Sequence, residues 1–414
     1  MSQSNLIGIR NFTLRWYAPI ILIFLVGGLL QYLGLISPTQ TNWLSLFLLG
    51  HVFLLRSSWR QIKHEVLIFL LLVFIGVVHF YHGTPLAYTA TYIYYAICTV
   101  LAAIAGRVYA QRTTYKLNVK IFFKFVKYFL VLELAITSIQ AVYTEQFINL
   151  SQAPIGYVDA IFGTFFLQSD AALAAVCELL VISAFFLPCK TNDRLVISLL
   201  SIGVIATGNS SAAKLTVVLL LLLLYGNSIY KRLGFGRHGF NILILFVVTC
   251  TIFAMYGSLL ELTTNFLVRA VEDYDHREAW ETASRFAPLG QIYAERINLI
   301  GRGALTYYNP ITKQWLYNSG FSTLYSLYLD FGLIGALIYY AYQVNLIFKF
   351  TTSVAEFTSF LIVLASFSLF NFALTDVAFV FSFNAILYLN HRYKKLKLSV
   401  IKDSVYFNEQ RQWT

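Results

Sequence analysis

The stretch AAKLTVVLLLLLLYGNSIY, residues 212–230, contains a single charged side chain, Lys214. As an α-helix with a rise of about 1.5 Å per residue, it is about 28 Å long, close to the ~30 Å hydrocarbon core of a bilayer. Similar apolar runs recur along almost the whole chain of 414 residues, which is 58% hydrophobic and 12% charged. Soluble domains carry about 25% charged residues. The sequence therefore predicts an all-α, polytopic membrane protein.

Twelve apolar runs have the length and composition of transmembrane helices. They cover residues 17–36, 42–56, 65–82, 88–106, 121–143, 167–188, 194–208, 212–230, 239–259, 321–345, 354–373 and 376–391. Residues 1–259 thus hold the first nine spans, and residues 260–320 form one large loop with amphipathic helices. Residues 321–414 hold the last three spans and a basic tail.

Lys and Arg are distributed unevenly between the connections, and the positive-inside rule uses this bias to orient the chain. The short loops without Lys or Arg are residues 37–41, 83–87 and 144–166. The alternate loops and the tail are rich in both, for example at Arg107 and Lys394. We therefore expect both termini in the cytoplasm. The net charge of +11 is then interpreted as a cytoplasmic collar facing anionic lipid, with no binding of nucleic acid.

The large outer loop contains the least hydrophobic stretch of the chain, EDYDHREAWETASR at residues 272–285. Asp275 and Glu278 form a capping-box-like D-x-x-E pattern, which predicts a helix that begins directly after Asp275. Arg277, Glu281 and Arg285 recur every four residues and share one helix face. The pattern indicates an amphipathic helix at the outer membrane surface with guanidinium groups along one edge. A solvated helix held by ion pairs would show the same spacing.

Four sequence elements surround this helix in an order that resembles a known family. They are GTFFLQSDAALAA at 163–175, TGNSSAAKL at 207–215, NLIGRG at 298–303 and YNSGFSTLYSLYLDFGLIGALIYY at 317–340. Together with Arg277 and Trp280, they resemble the O-antigen polymerase and O-antigen ligase superfamily of bacterial envelope polysaccharide enzymes. The glycines of NLIGRG match a G-x-G element of that family, and Asn318 with Gly332 and Gly335 matches its last element.

The chain departs from the family pattern at three positions. Tyr317 stands where a ligase usually has histidine, and Asp170 occupies the place of the usual asparagine. The basic residue of the second element is Lys214, which stands at a different position from the usual arginine. The absent histidine favours a polymerase over a ligase.

The resemblance implies a reaction on the outer leaflet of the bacterial inner membrane. A glycan passes from a polyprenyl pyrophosphate carrier to a hydroxyl of an acceptor glycan. The implied partners are the polyprenyl-pyrophosphate-linked oligosaccharide, the growing glycan chain, membrane lipid and a chain-length regulator protein. The alternatives are an O-antigen ligase, a capsule or exopolysaccharide polymerase, or a lipid-linked oligosaccharide flippase. A flippase is disfavoured, because the sequence has no two similar six-span halves.

The resemblance also implies the residues that carry this chemistry. Those implied for catalysis are Asp170, Arg277, Tyr317 and Asn318. Cationic side chains stabilise the charge that develops on a departing pyrophosphate, and those implied to bind it are Arg277, Arg285, Lys214, Arg302 and Arg269. A D-x-D pair such as Asp273 and Asp275 often holds a divalent ion, but here Asp275 is predicted to cap a helix. We therefore expect no metal ion and no other cofactor.

Two acidic residues, Glu133 and Glu178, fall near the middle of predicted spans. Intramembrane acids are candidates for functional sites. We expect these two to be protonated and hydrogen-bonded between helices, in a structural role. The four cysteines, Cys98, Cys177, Cys189 and Cys250, lack the spacing of a metal site and are expected to be apolar core residues.

Overall fold

The computed structural model describes residues 27–35, 37, 61–114, 119–152, 160–165, 170–208, 210–233, 298–303, 306–309, 314–317, 322–374 and 376–412. These residues form eleven α-helices and one antiparallel β-hairpin. The predicted spans at 42–56 and 239–259, and residues 260–297 of the large loop, lie outside the described residues.

Ten of the eleven helices fall on predicted spans. The eleven are α1 Gly27–Tyr32, α2 Val66–Tyr81, α3 Leu86–Thr114, α4 Val119–Val142, α5 Thr144–Leu150, α6 Asp170–Phe186, α7 Thr191–Thr207, α8 Ser211–Leu233, α9 Thr323–Phe350, α10 Val354–Phe370 and α11 Val377–Gln412. A short 3-10 helix at Ile62–His64 precedes α2. The hairpin pairs β1, Thr306–Asn309, with β2, Gln314–Tyr317.

Within the described residues, three helical segments are long and apolar enough to cross a membrane: Leu86–Gln111, Ala212–Ile229 and Ser326–Phe350. Shorter apolar helices cover Val66–Tyr81, Ala171–Phe186 and Val354–Leu369. These helices confirm the predicted class of an α-helical, multi-pass membrane protein. The helix α11 continues to Gln412, well beyond the predicted end of its span at residue 391.

The helix α6 lies at the centre of the bundle. Every residue from 171 to 184 is buried, and the helix packs against α4, α7, α8, α10 and α11. Four alanines in its first two turns, at 171, 172, 174 and 175, allow these neighbours to approach closely. A second close contact joins α3 to α11, where a Cβ at Gly106 would overlap the backbone carbonyl of Phe381.

The loop predicted at 144–166, between α4 and α6, is described at residues 144–152 and 160–165. It contains α5, whose Phe147 stacks on Tyr32 with ring centroids 4.3 Å apart. The Tyr32 hydroxyl donates a hydrogen bond to the carbonyl of Phe147 at 3.0 Å. A buried turn at 160–165 follows. This connection thus packs on the end of α1 and continues into the bundle.

Candidate functional site at the predicted outer end

The predicted topology places the connection between α2 and α3, and the one between α10 and α11, on the outer side of the membrane. We call this end of the bundle the outer end. There the segment 298–303, which we call the strap, lies against a break in α9. The break is at Gly332, with φ 66° and ψ −168°. In an unbroken helix, the N–H groups of Leu333 and Ile334 would donate to carbonyls four residues earlier.

The strap takes the place of both missing helical partners. Two N–H groups after the break donate to strap carbonyls at 2.9 and 3.2 Å, and two strap N–H groups donate to carbonyls before the break at 2.8 and 3.0 Å. The donor–acceptor pairs are Leu333 to Asn298, Ile334 to Leu299, Arg302 to Leu329 and Gly303 to Asp330. Backbone groups freed inside a membrane helix require such partners. The strap therefore completes the backbone hydrogen bonding of α9 at the break.

Two glycines permit this close approach. A Cβ at Gly301 would overlap the backbone of Asp330 and Phe331, and a Cβ at Gly332 would overlap the carbonyl of Leu299. Both glycines have left-handed φ values, 84° and 66°, which other residues adopt at a cost. The NLIGRG element and the last element of the resemblance are thus in direct contact.

The turn of the strap is shaped by Asn298. Its Oδ1 accepts hydrogen bonds from the N–H groups of Ile300 at 3.1 Å and Gly301 at 2.9 Å. Arg302 follows and is partly exposed. Arg302 is thus a predicted pyrophosphate ligand whose backbone is fixed to α9.

An acidic side chain, Asp330, is buried at the break and is 1% exposed. Tyr92 of α3 donates a hydrogen bond from its hydroxyl to Asp330 Oδ2. The Tyr92 ring packs edge-on against Phe331, with centroids 4.7 Å apart. His79 of α2 completes this cluster, with its ring centroid 6.0 Å from Tyr92 and 5.4 Å from Phe331. We call these four residues the Asp330 cluster.

A small cavity is lined by residues of α4, α6, the end of α7 and the connection to α8, and its lining includes Ala174 and Ser210. Asp170 begins α6 one turn before Ala174. The N–H of Lys214 donates to the carbonyl of Ser210 at 3.2 Å, and the Lys214 side chain is exposed. Asp170 and Lys214 are thus each one helical turn from a residue that lines this cavity, and the side chain of Asp170 lies outside the described part.

Glu133 and Gln140 of α4 hold the turn that starts the GTFFLQSDAALAA element. The carboxyl group of Glu133 accepts hydrogen bonds from the Thr164 hydroxyl and from its N–H, the latter at 3.0 Å. The Gln140 amide forms two hydrogen bonds with the backbone of Gly163, at 2.8 and 3.1 Å. Glu133 is thus hydrogen-bonded as expected, although its partner is a turn. Glu178 is buried, and its Oε1 has no hydrogen-bond partner within the described ranges.

Four of the eight residues of the predicted site lie outside the described ranges. These are Arg269, Arg277, Arg285 and Asn318. The acidic pair Asp273 and Asp275 lies there as well. Tyr317 is the last residue of β2, so a hairpin precedes α9 where the sequence predicted only amphipathic helices in the loop. In the described residues of this loop, 298–303, 306–309 and 314–317, there is no helix.

At the inner end of the bundle, two bases of the predicted collar lie against carboxylates. Arg107 is fully buried and paired with Glu65. Lys394 also lies against a carboxylate, with Nζ 2.6 Å from Glu356 Oε2. The prediction for Arg107 is wrong because a buried acid of the neighbouring helix end neutralises it, which hydropathy alone does not reveal.

The Asp330 cluster was not predicted as a site. Asp330 is the one acidic residue in the predicted span 321–345, and an intramembrane acid is the signal that could have identified it. Its partner Tyr92 is 238 residues away in sequence, so this pairing could be identified only from the folded structure.

No family model matches this chain, and no curated protein is significantly similar to it.

Proposed function

We propose that this protein is a membrane glycosyltransferase that polymerises lipid-linked oligosaccharide repeat units of the O-antigen type. It acts on the periplasmic face of the bacterial inner membrane, as a protein of twelve spans with residues 260–320 outside. The observation that carries the proposal is the insertion of the strap into α9. It joins two elements of the family resemblance beside a buried acid at the predicted outer end.

A broken membrane helix supports a binding or catalytic role. Irregular backbone within a membrane is stable only where protein or a cavity surrounds it, and broken helices form the substrate sites of many transporters. The strap also belongs to the same loop as the predicted Arg277 helix. A loop of about 60 residues between two spans is typical of a functional segment.

The proposed chemistry explains the charges of this loop. The oxygen of the acceptor hydroxyl attacks the anomeric carbon of the donor, and the bond to pyrophosphate breaks. Negative charge then accumulates on the leaving pyrophosphate, where guanidinium groups stabilise it through paired hydrogen bonds. The proposed ligands are Arg277, Arg285, Arg269, Arg302 and Lys214.

The test is polymerisation by the purified protein in liposomes with a polyprenyl-pyrophosphate-linked repeat unit. We expect a ladder of products from the wild type, none from Arg277→Ala, and a reduced yield from Arg277→Lys, because an ammonium group cannot form the paired hydrogen bonds of a guanidinium. Arg60→Ala is the matched control, since Arg60 is predicted on the inner side and should not affect the ladder.

The alternatives give different products in the same assay. A ligase transfers one preformed glycan to a second lipid acceptor and forms no ladder. A flippase moves the lipid-linked oligosaccharide across the bilayer without forming a glycosidic bond. Either outcome, or a normal ladder from Arg277→Ala, would contradict the proposal or its assignment of Arg277.

A further inference from the structure

His79 is a buried polar side chain without a partner. It is 2% exposed, and neither of its ring nitrogens forms a hydrogen bond in the part of the chain that the structure describes. Buried side-chain polar atoms in folded proteins nearly always have a protein or water partner. The position of His79 therefore calls for a partner that the described protein residues do not supply.

The surroundings of His79 indicate what that partner is. His79 lies in the last turn of α2, at the outer end, and its neighbours are the rings of Tyr92 and Phe331. Asp330 accepts a hydrogen bond from the Tyr92 hydroxyl. Apolar ring faces, a hydroxyl and a carboxylate together suit a sugar, which has apolar C–H faces and polar hydroxyl groups.

We propose that His79 is the catalytic residue that accepts the proton of the acceptor sugar hydroxyl, a role that rests on the proposed function. Tyr92 and Asp330 act as positioning residues, because the hydrogen bond between their side chains fixes the ring against which His79 packs. A neutral imidazole has one nitrogen that accepts a hydrogen bond, and histidine is the commonest general base in enzymes.

The step balances without a further reactant. A ring nitrogen of His79 takes the proton as the acceptor oxygen forms a bond to the anomeric carbon of the donor. The bond from that carbon to pyrophosphate breaks, and the pyrophosphate leaves with the electron pair. The proton then passes from His79 to solvent, and the products are the extended glycan and the lipid pyrophosphate.

The experiment uses the full chain in liposomes, with separate measurements of polymer formation and of binding of the lipid-linked repeat unit. His79→Phe keeps an aromatic ring but has no nitrogen. His79→Gln keeps hydrogen-bonding groups but cannot take a proton. We expect both variants to polymerise about 10²- to 10⁴-fold more slowly than the wild type, with donor affinity within about twofold. The matched control is His82→Phe, since His82 is exposed one turn later, and it should retain the wild-type rate.

The results separate this inference from the proposed function. If the wild type forms no polymer, the proposed function fails. If the wild type forms polymer and either His79 variant does so at the wild-type rate, His79 is not the proton acceptor. Loss of donor binding in both variants also overturns the inference, because it would assign His79 a structural or donor-binding role.

Discussion

Arg107 of α3 and Glu65, the residue before α2, form an ion pair with both side chains fully buried. Arg107 Nη1 also donates to Asn384 Oδ1 at 2.6 Å, and the Tyr342 hydroxyl donates to Glu65 Oε2 at 2.5 Å. Four helices, α2, α3, α9 and α11, thus meet at one network of charge-assisted hydrogen bonds. The network lies at the inner end, opposite the strap.

Removing one partner of this pair should destabilise the protein strongly. Arg107→Met leaves the carboxylate of Glu65 buried without its cation, and such a change costs about 3–5 kcal/mol. The double variant with Glu65→Gln leaves no buried charge, so we expect it to be more stable than Arg107→Met alone. The free energy of unfolding in detergent micelles measures both effects.

A second ion pair of the same chain is the control. Lys127 Nζ lies 2.6 Å from Asp193 Oδ1, and each side chain is 32% exposed. Lys127→Met should cost less than about 1 kcal/mol, because water screens a partly exposed pair. Equal losses in Lys127→Met and Arg107→Met would show that burial does not set the strength of the Arg107 pair.

The strap should separate from α9 when either glycine at the contact acquires a side chain. In Gly301→Ala and Gly332→Ala, the new Cβ overlaps backbone atoms, which cannot move as freely as the end of a side chain. We expect trypsin to cleave after Arg302 in both variants and to spare this bond in the wild type, where the Arg302 backbone is hydrogen-bonded to Leu329.

Gly76→Ala is the matched control for the strap variants. Gly76 also lies in a membrane helix, α2, but a Cβ there meets no atom within 4 Å. Alanine favours a helix over glycine by about 1 kcal/mol, so this variant should be as stable as the wild type or more stable. Cleavage after Arg302 in Gly76→Ala, or protection in Gly332→Ala, would contradict the role assigned to the glycines.

The positions of the helices could be predicted from the sequence, whereas the site could not. Hydropathy located α2 to within one residue at each end, because the requirement to match the bilayer sets both boundaries. It missed the end of α11 at Gln412, since a helix that leaves the membrane need not be apolar. Hydropathy also did not predict the break at Gly332, because the break is caused by a strap about 30 residues earlier in the sequence. It did not predict the Arg107–Glu65 pair, because this pair forms only where two helix ends come into contact.

Labelling of single cysteines should establish the orientation. In a variant with Cys98, Cys177, Cys189 and Cys250 replaced, we expect an impermeant maleimide to label Lys313→Cys from the periplasmic side. Lys190→Cys, between α6 and α7, should be labelled only after the membrane is opened, because the positive-inside rule places this loop in the cytoplasm. The reverse pattern would invert the topology and place the strap on the wrong side for a periplasmic reaction.

The reaction should proceed without a metal ion. The large loop and Lys214 offer seven cationic side chains to a pyrophosphate: Arg269, Arg277, Arg285, Arg296, Arg302, Lys313 and Lys214.

The competing hypothesis is chelation of a metal ion by Asp273 and Asp275. If Asp275 is a helix cap, Asp275→Ala costs about 1 kcal/mol of helix stability, whereas loss of a metal ligand ends catalysis. Asparagine caps a helix well but binds divalent ions poorly, so Asp275→Asn should retain most activity, and the wild type should polymerise in excess EDTA. Activity that EDTA removes and Mg²⁺ or Mn²⁺ restores would establish the metal-dependent mechanism instead.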